Sequence, residues 1–433
     1  MKAHSPTALS RPAPWLVAAA LWLAAVLILQ GCAQPGAQAE PTPTPAPQPA
    51  PTPTAVPVAE ADAPADSEPG IFPDRILFGQ SAAFSGPAQE LGKNMKIGIE
   101  AAFQEINRDG GVFGRRLELL SLDDAYEPEA AISNTKQLIE AEAVFALIGA
   151  VGTPTSRSAL PVARDAGVPY IAPFTGAGFL RLDEWDNVLN LRASYNQETE
   201  EMVKQLVDVL GLSRIGIVYQ DDSYGQAGYH GTVTALAKRN KKPAAIGVYP
   251  RNTTAVKTGL VDLQRGNPEA VIIIGAYEPA ANLIAWARRI GMEAVFVNIS
   301  FVGSNALAQE LGRDGEGVFV TQVVPFPTDA SLPITAAYHQ ALADFAPEVE
   351  PGFVSFEGYL AGRMTVEALR RCGIEVTREC FLWAFKFGTT MDLGGFSLVF
   401  GPWDNQGSDA VFLTMIGPNG QYLPVNSFEV ANP

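Results

Sequence analysis

Short apolar segments alternate with helix-like segments through most of the chain after residue 74. The apolar segments are four to six residues long, and the segments between them repeat apolar residues at intervals of three and four. This alternation is typical of parallel sheets covered by helices on both faces. One sheet with so many strands is improbable, so the sequence predicts an α/β chain with two doubly wound lobes. The predicted strands cover residues 75–80, 117–122, 144–148, 168–172, 215–219, 245–249, 271–274 and 294–297.

The pattern changes near residue 334. Helical periodicity covers residues 334–345, 353–371 and 377–387, and alternating strand patterns follow at 396–400, 410–416 and 421–425. Pro418, Asn419 and Gly420 predict a hairpin turn between the last two strands.

The first 31 residues predict an export signal. Lys2 and Arg11 precede an uncharged apolar run at residues 15–29, which is too short for a membrane span. The run ends in Leu29-Gln30-Gly31-Cys32, which resembles the lipobox of bacterial lipoproteins and makes Cys32 the expected site of lipid attachment. The alternative is an ordinary signal peptide with a chance cysteine.

Residues 32–73 are rich in Pro, Thr and Ala and contain no Lys or Arg. Such a segment cannot bury a core, and its prolines favour extended geometry of about 3.1 Å per residue. We therefore predict a disordered tether that holds the folded domain off a membrane surface.

Charge and cysteine content limit the partners. The formal net charge is −16, which argues against nucleic acid or an anionic membrane held by charge. Besides Cys32 the chain has only Cys372 and Cys380, which an exported protein either pairs as a disulfide or buries as thiols.

No motif for catalysis, a cofactor or a metal is complete. The run from Gly86 to Asn94 has five residues between its glycines where a P-loop has four, and none of the three histidines forms a pair with metal-ligand spacing. Asp123-Asp124 and Asp221-Asp222 each follow a predicted strand. Such carboxylates serve as acid, base or metal ligands, but more often they cap a helix or face water. We predict no enzyme, no cofactor and no metal.

The segment at residues 148–155 predicts either an anion site or a plain turn. It runs from a buried strand through Gly149 and Gly152 to Thr153 and a helical pattern. Amides at such a strand-to-helix turn point outward and attract a carboxylate or phosphate. The alternative is a tight turn capped by Thr153.

Several segments together resemble the leucine/isoleucine/valine-binding protein family, the type I periplasmic solute-binding proteins of ABC transporters. The resemblance runs from about residue 76 to 425 and is most specific at residues 110–116, Gly-Gly-Val-Phe-Gly-Arg-Arg, followed by Leu122-Asp123-Asp124. It implies a type I periplasmic-binding-protein fold, with three crossovers between two lobes that close on a ligand. Further similarity lies in Ser85-Gly86 and at residues 148–155, 171–176, 222–225 and 275–279.

The resemblance also implies ligand-binding residues on both lobes. A ligand carboxylate is expected at the first lobe and aromatic cover from the second. The first lobe is expected to contribute Ser85, Gly152, Thr153, Thr175, Gly176 and Ala177, and the second Tyr224, Tyr277, Glu278 and Ser300.

The chain departs from amino-acid binders of this family at one position. They offer a carboxylate to the ligand ammonium after the strand that corresponds to residues 294–297. Residues 298–309 contain no acid, and Ser300 is the nearest aligned residue. A buried ammonium without a carboxylate is costly, so Glu278 or an aspartate would have to substitute.

The predicted function is an extracytoplasmic, monomeric, lipid-anchored receptor that delivers a small carboxylate-bearing or amide-like solute to ABC-transporter permease subunits. A branched-chain or other amino acid is the alternative ligand, and a sensing subunit of a membrane signalling system is the alternative role. The predicted ranges are a signal peptide at 1–31, a tether at 32–73, lobe 1 at 74–193 and 323–400, and lobe 2 at 194–322 and 401–433.

Overall fold

The computed structural model describes residues 68–387 and 390–429. The signal peptide, Cys32 and most of the predicted tether lie outside these residues, so lipid attachment stays a prediction. Residues 68–73 were expected in the tether but belong to the folded part, since Leu77 donates a backbone hydrogen bond to Gly70 and Ile71 pairs with Ile76. Within the described residues, none of the helices has the length and hydropathy needed to cross a membrane.

Lobe 1 is built on a five-stranded parallel sheet in the order β2-β1-β3-β4-β5. Its helices connect successive strands, so the carboxyl ends of all five strands lie at one edge. The strands are β1 (Arg75–Ala82), β2 (Arg116–Asp123), β3 (Ala146–Ile148), β4 (Tyr170–Ile171) and β5 (Val188–Leu189), and the first helices are α1 (Gln89–Arg108), α2 (Pro128–Lys136) and α3 (Thr153–Asp165).

The chain then crosses to lobe 2 and builds a second, seven-stranded sheet in the order β14-β13-β10-β9-β8-β6-β7. Helix α4 begins at a capping box in which Ser194 and Gln197 exchange hydrogen bonds, and α5 begins where Asp222 accepts the amides of Tyr224 and Gly225. The elements are α4 (Tyr195–Val203), β6 (Ile215–Asp221), α5 (Ser223–Ala237), β7 (Ala245–Pro250), α6 (Lys257–Arg265), β8 (Ala270–Ile274), α7 (Tyr277–Arg289), β9 (Val295–Asn298), α8 (Ser304–Leu311) and β10 (Phe319–Gln322).

After β10 the chain returns to lobe 1, where α10 packs along α1. Cys372 at the end of α10 and Cys380 in α11 form a disulfide, which decides between the two states left open by the sequence. The returning elements are α9 (Pro333–Phe345), α10 (Phe353–Cys372), α11 (Arg378–Lys386), β11 (Thr390–Asp392) and β12 (Ser397–Val399), and the last two form a separate antiparallel pair.

A third crossover leads back to lobe 2, where β13 (Phe412–Ile416) pairs antiparallel with β10 and β14 (Tyr422–Val425) pairs antiparallel with β13. The turn predicted at residues 418–420 lies between these two strands. The strand ends of both lobes face each other across one cleft, which positions the candidate site.

Candidate functional site

Two strand-end loops of lobe 1 and the first residue of α4 in lobe 2 bring three hydroxyl groups together. Thr153, the first residue of α3, and Thr175, after β4, share a hydrogen bond of 2.6 Å between their Oγ1 atoms. Thr175 Oγ1 also donates to the Tyr195 hydroxyl at 3.2 Å. All three residues are at most 1% exposed. We call Thr153, Thr175 and Tyr195 the hydroxyl cluster; it is buried, polar and uncharged.

The amides expected to bind the ligand differ in their availability. Gly152 N–H donates to the Phe174 carbonyl at 3.3 Å, and Ala177 N–H donates to Thr175 Oγ1 at 3.3 Å, so both have internal partners. The Thr153 amide lies at the first position of α3, where no preceding helical carbonyl can accept it. The Thr153 amide is therefore free of a helical acceptor and can donate to an anion.

Gly152 and Gly176 have a packing role beside these groups. A Cβ atom at Gly152 would lie 2.4 Å from the Tyr126 ring, and one at Gly176 would lie 2.5 Å from the Tyr195 ring. Both glycines thus let an aromatic ring approach the loop backbone. The ligand role that the resemblance implies for these glycines stays a prediction.

Aromatic rings from both lobes meet over the hydroxyl cluster. The Phe301 ring of lobe 2 lies 4.5 Å from Tyr224, 5.5 Å from Phe174 and 6.2 Å from Tyr126, measured between centroids. Tyr195 lies 5.6 Å from Tyr224. We call these five residues the aromatic cluster. The resemblance assigned a ligand role only to Tyr224 among them. Phe174 lies in the similar segment 171–176 but received no role, and the other three converge from separate elements.

Two hydroxyls of the aromatic cluster differ in their bonding. Tyr224 donates to the Gly275 carbonyl at 3.2 Å. The Tyr126 hydroxyl is buried and has no hydrogen-bond partner among residues 68–387 and 390–429. Burial raises the pKa of Tyr126 well above its usual value, so the phenol stays protonated and remains a donor.

Three of the predicted residues lie apart from these clusters. Ser85 is exposed, and its amide donates to Asp123 Oδ1. Tyr277 is buried beside the Gly303 turn, and burial raises its pKa to about 12. Glu278 is half-buried in the first turn of α7. Their ligand roles stay predictions.

Ser300 does have a carboxylate beside it, although residues 298–309 contain no acid. Its amide and Oγ both donate to Glu198 at 2.9 Å, and Thr321 Oγ1 donates to the same carboxylate at 2.6 Å. Glu198 is on α4 and fully buried. Burial raises the pKa of Glu198, against the effect of nearby Arg192. The sequence missed this acid because its partner is 102 positions away.

Arg192 completes a second buried cluster at the first crossover. Its Nε and Nη2 donate to the Glu357 carboxylate at 2.7 Å each, and its Nη1 donates to Ser300 Oγ at 3.1 Å. Burial alone would lower the pKa of Arg192, but Glu357 outweighs burial and raises it. We call Arg192, Glu357, Ser300 and Glu198 the ionic cluster. It joins α10 of lobe 1 to β9 and α4 of lobe 2.

The paired aspartates shape loops. Asp123 Oδ1 accepts the amides of Phe84, Ser85 and Ala125, and Asp222 caps α5. Asp124 is buried and accepts hydrogen bonds from the Ser81 hydroxyl and the Tyr126 amide. Across the described ranges, no group of three or more His, Cys, Asp or Glu residues could hold a metal ion.

A polar contact joins the lobes near the cleft surface. Arg251, after β7, donates to the Tyr126 carbonyl at 2.7 Å and pairs with the Glu127 carboxylate. Asn252 Nδ2 donates to the same carboxylate at 2.7 Å. We call Arg251, Asn252 and Glu127 the latch, because they connect a lobe 2 loop to a lobe 1 loop.

The family model described as periplasmic binding protein matches residues 76–421. The chain belongs to this family. A solved structure of a possible leucine/isoleucine/valine-binding protein from Rhodopirellula baltica SH 1 is 37% identical, with a TM-score of 0.79, and the match covers 86% of this chain and 100% of that one. The two-lobed α/β fold predicted from the sequence is confirmed.

Curated relatives agree with this assignment. The Leu/Ile/Val-binding protein of Escherichia coli K12 is 23% identical over 240 residues, which cover 55% of this chain and 65% of that protein, just under two thirds of its length. The leucine-specific-binding protein of Salmonella typhimurium is 21% identical over 340 residues, covering 78% and 89%. These relatives are binding proteins, not enzymes, and membership in the family implies an extracytoplasmic location.

Proposed function

We propose that this periplasmic binding protein is the solute-binding lipoprotein of an ABC transporter, anchored through Cys32, that closes its lobes around a small carboxylate-bearing or amide-like organic solute. The hydroxyl cluster carries this proposal. Thr153 and Thr175 lie at the carboxyl ends of β3 and β4, where open α/β sheets bind ligands, and Tyr195 packs against Tyr224 of lobe 2.

The chemistry of the hydroxyl cluster suits a carboxylate or amide. Hydroxyls both donate and accept, so Thr153 and Thr175 can exchange their mutual bond for bonds to a ligand oxygen. The N-terminus of α3 adds a favourable dipole for negative charge. The aromatic cluster covers an apolar ligand part without adding charge.

An amino acid is the second candidate, and one observation favours it. Glu198 stands beside Ser300, where the resemblance implies an acid for the ligand ammonium. However, its carboxylate already accepts three hydrogen bonds and lies in a buried cluster with Arg192. An ammonium would have to displace Ser300 or Thr321 from it, which leaves buried polar groups unsatisfied.

Titration calorimetry on the mature protein tests the ligand class. The panel contains aliphatic and aromatic carboxylates, their primary amides, and leucine, isoleucine and valine. We expect an acid or amide to bind more tightly than any amino acid. Tight leucine binding with no acid or amide binding would reverse the assignment. Mass spectrometry of a co-purifying solute provides an independent identification.

The anchor requires a separate test. Replacing Cys32 with Ser is expected to release the protein from the membrane fraction and to abolish labelling by a radioactive fatty acid. Cys372→Ser serves as the control, since that cysteine lies in a disulfide and should leave labelling unchanged. Labelling of C32S equal to that of the wild type would reject the lipoprotein assignment.

A further inference from the structure

The Phe301 ring projects from lobe 2 into the strand-end loops of lobe 1. Phe301 is the middle residue of the short turn Ser300–Val302, which follows β9, and it is 1% exposed. Its neighbours Phe174 and Tyr126 belong to lobe 1, whereas Tyr224 belongs to lobe 2. These centroid distances are those of packed aromatic pairs. Phe301 is therefore a lobe 2 group that packs against lobe 1 loops, as Tyr195 does through its bond to Thr175.

Little volume remains beside this ring. The cavity between the lobes at Phe301 measures about 10 Å³ and is lined by residues that include Pro87, Ala88, Gln220 and Ala276. A cavity of that size holds about one water. Solute sites usually need roughly 300–1,000 Å³. A solute therefore needs more volume than this cavity offers, and the Phe301 ring is one of the groups that fill the space beside it.

Contacts of the residues before and after Phe301 fix the backbone that carries it. Ser300 is bound to Glu198 and Arg192 in the ionic cluster. On the other side Gly303 has a φ of +82° and lies so close to lobe 1 that a Cβ atom would be 2.6 Å from Leu91 Cδ2. Rotation of the Phe301 side chain would thus make room without moving this backbone.

We propose that Phe301 determines the specificity of the interlobe site, because its ring takes the place of the solute's apolar part and is displaced by a flat aromatic ring that bears a carboxylate. This inference rests on the proposed function and names its solute class. A flat ring can replace the contacts of Phe301 with Tyr126, Phe174 and Tyr224. Its carboxylate then reaches Thr175, the residue after Phe174, and Thr153, which is bonded to Thr175.

Benzoate and cyclohexanecarboxylate are the probes, because they share a carboxylate and ring size but differ in aromaticity. We expect the wild type to prefer benzoate. Phe301→Ala is expected to bind benzoate about 10- to 100-fold more tightly, since no buried ring has to be exposed. Phe296→Ala is the matched control, because that ring is 3% exposed within β9, and its affinity should equal that of the wild type.

Two calorimetric results would overturn the inference. One is equal wild-type affinity for the two acids, and the other is a folded F301A protein with unchanged or weaker benzoate binding. If F301A does not fold, Phe301→Leu replaces it, with a smaller gain expected and the same opposing result.

Failure of the proposed function gives a different pattern. If no acid or amide binds to the wild type or to F301A, the proposed solute class is wrong. Toluene, which has a ring but no charge, then tests whether the Phe301 ring occupies the position of the solute's apolar part. If toluene raises the melting temperature of F301A but not that of F296A, this position of the ring is supported. If toluene does not raise the melting temperature of F301A, it is rejected.

Discussion

The hydroxyl cluster and the ionic cluster are both buried and polar, yet they differ in how readily their groups can exchange an internal hydrogen-bond partner for a ligand. Thr153, Thr175 and Tyr195 are uncharged and linked by bonds of 2.6 and 3.2 Å. Arg192 and Glu357 form a charged pair with two bonds of 2.7 Å. A neutral hydroxyl can replace an internal partner with a ligand at a small cost in free energy. Removing the partner of a buried ion, in contrast, strongly destabilises the protein.

This difference assigns the two clusters to separate tasks. Thr153 and Thr175 of the hydroxyl cluster lie at the strand ends of lobe 1, where we propose that the solute binds. The ionic cluster connects lobe 1 to lobe 2 through Arg192 and Ser300 at the first crossover. We interpret the first as the ligand contact and the second as a fixed joint about which the lobes move.

The largest expected effect is on the ionic cluster. Glu357→Ala leaves the buried Arg192 guanidinium without its carboxylate, so we expect a loss of about 3–5 kcal/mol in the free energy of unfolding. Urea unfolding monitored by circular dichroism measures it. The double variant Arg192→Met, Glu357→Leu is the control, since it removes both charges and should recover most of the stability. A loss below 1 kcal/mol in the single variant would show that the pair is not a rigid joint.

Asp124 has a buried carboxylate that accepts hydrogen bonds only from uncharged groups, so its ionisation should make stability depend on pH. Burial raises its pKa to about 6, against the hydrogen bonds from Ser81 and the Tyr126 amide. The native state therefore holds the proton more tightly than the unfolded chain. This contribution is full below about pH 4 and is lost as the pH rises through 6, amounting to about 3 kcal/mol.

The Asp124→Asn variant should lack this loss, so its stability relative to the wild type should rise between pH 4 and pH 7. Urea unfolding across that range measures the difference. Asp123→Asn is the control, because hydrogen bonds from neighbouring residues outweigh burial and lower the Asp123 pKa. Its effect on stability therefore falls below about pH 4, and its stability relative to the wild type should stay constant between pH 4 and pH 7. A pH profile of D124N parallel to that of the wild type would contradict the raised pKa.

Thr153→Val tests the hydroxyl cluster itself. The change removes the bond to Thr175 and the hydroxyl offered to a carboxylate. We expect about a 10- to 100-fold loss of affinity for the tightest acid of the panel, with at most about 1.5 kcal/mol loss of stability. Calorimetry and thermal melting separate the two effects.

The matched control for that variant is Thr365→Val on α10. Thr365 is equally buried, and its Oγ1 donates to the Ala361 carbonyl at 2.8 Å. T365V should lower stability by a similar amount and leave affinity unchanged. Equal affinity of T153V and the wild type would remove the loop after β3 from the site.

The sequence predicted which lobe 1 residues lie close together better than it predicted the contacts of lobe 2 residues, for a physical reason. Thr153 and Thr175 follow parallel strands, and neighbouring parallel strands end at one edge, so their proximity follows from the strand pattern. The chain fold of both lobes was predicted from the same alternation. Residues 68–73 were the error at the folded boundary, since their composition continues that of the tether.

The lobe 2 side depends on contacts that no local pattern encodes. Glu198 lies next to Ser300 only because α4 begins just after the first crossover and β9 ends beside it. Phe301 looks like an ordinary core residue in sequence, and only the packing of two lobes gives it Phe174 and Tyr126 as neighbours. Contacts across the cleft could therefore not be predicted from spacing.

The latch gives the smallest expected effect and tests whether closure depends on contacts outside both clusters. The Arg251 and Glu127 side chains are 26% and 42% exposed, so their ion pair should contribute at most about 1 kcal/mol. Arg251→Ala is expected to raise the dissociation rate of the bound acid up to about fivefold. Stopped-flow measurements should show a smaller difference in dissociation rate between R251A and the wild type at high salt than at low salt, because salt screens the wild-type ion pair. Arg265→Ala breaks an exposed ion pair with Asp262 inside α6 and should leave the dissociation rate unchanged at low and at high salt. If R251A dissociates at the wild-type rate in low salt, closure depends on the aromatic cluster and the fixed joint alone.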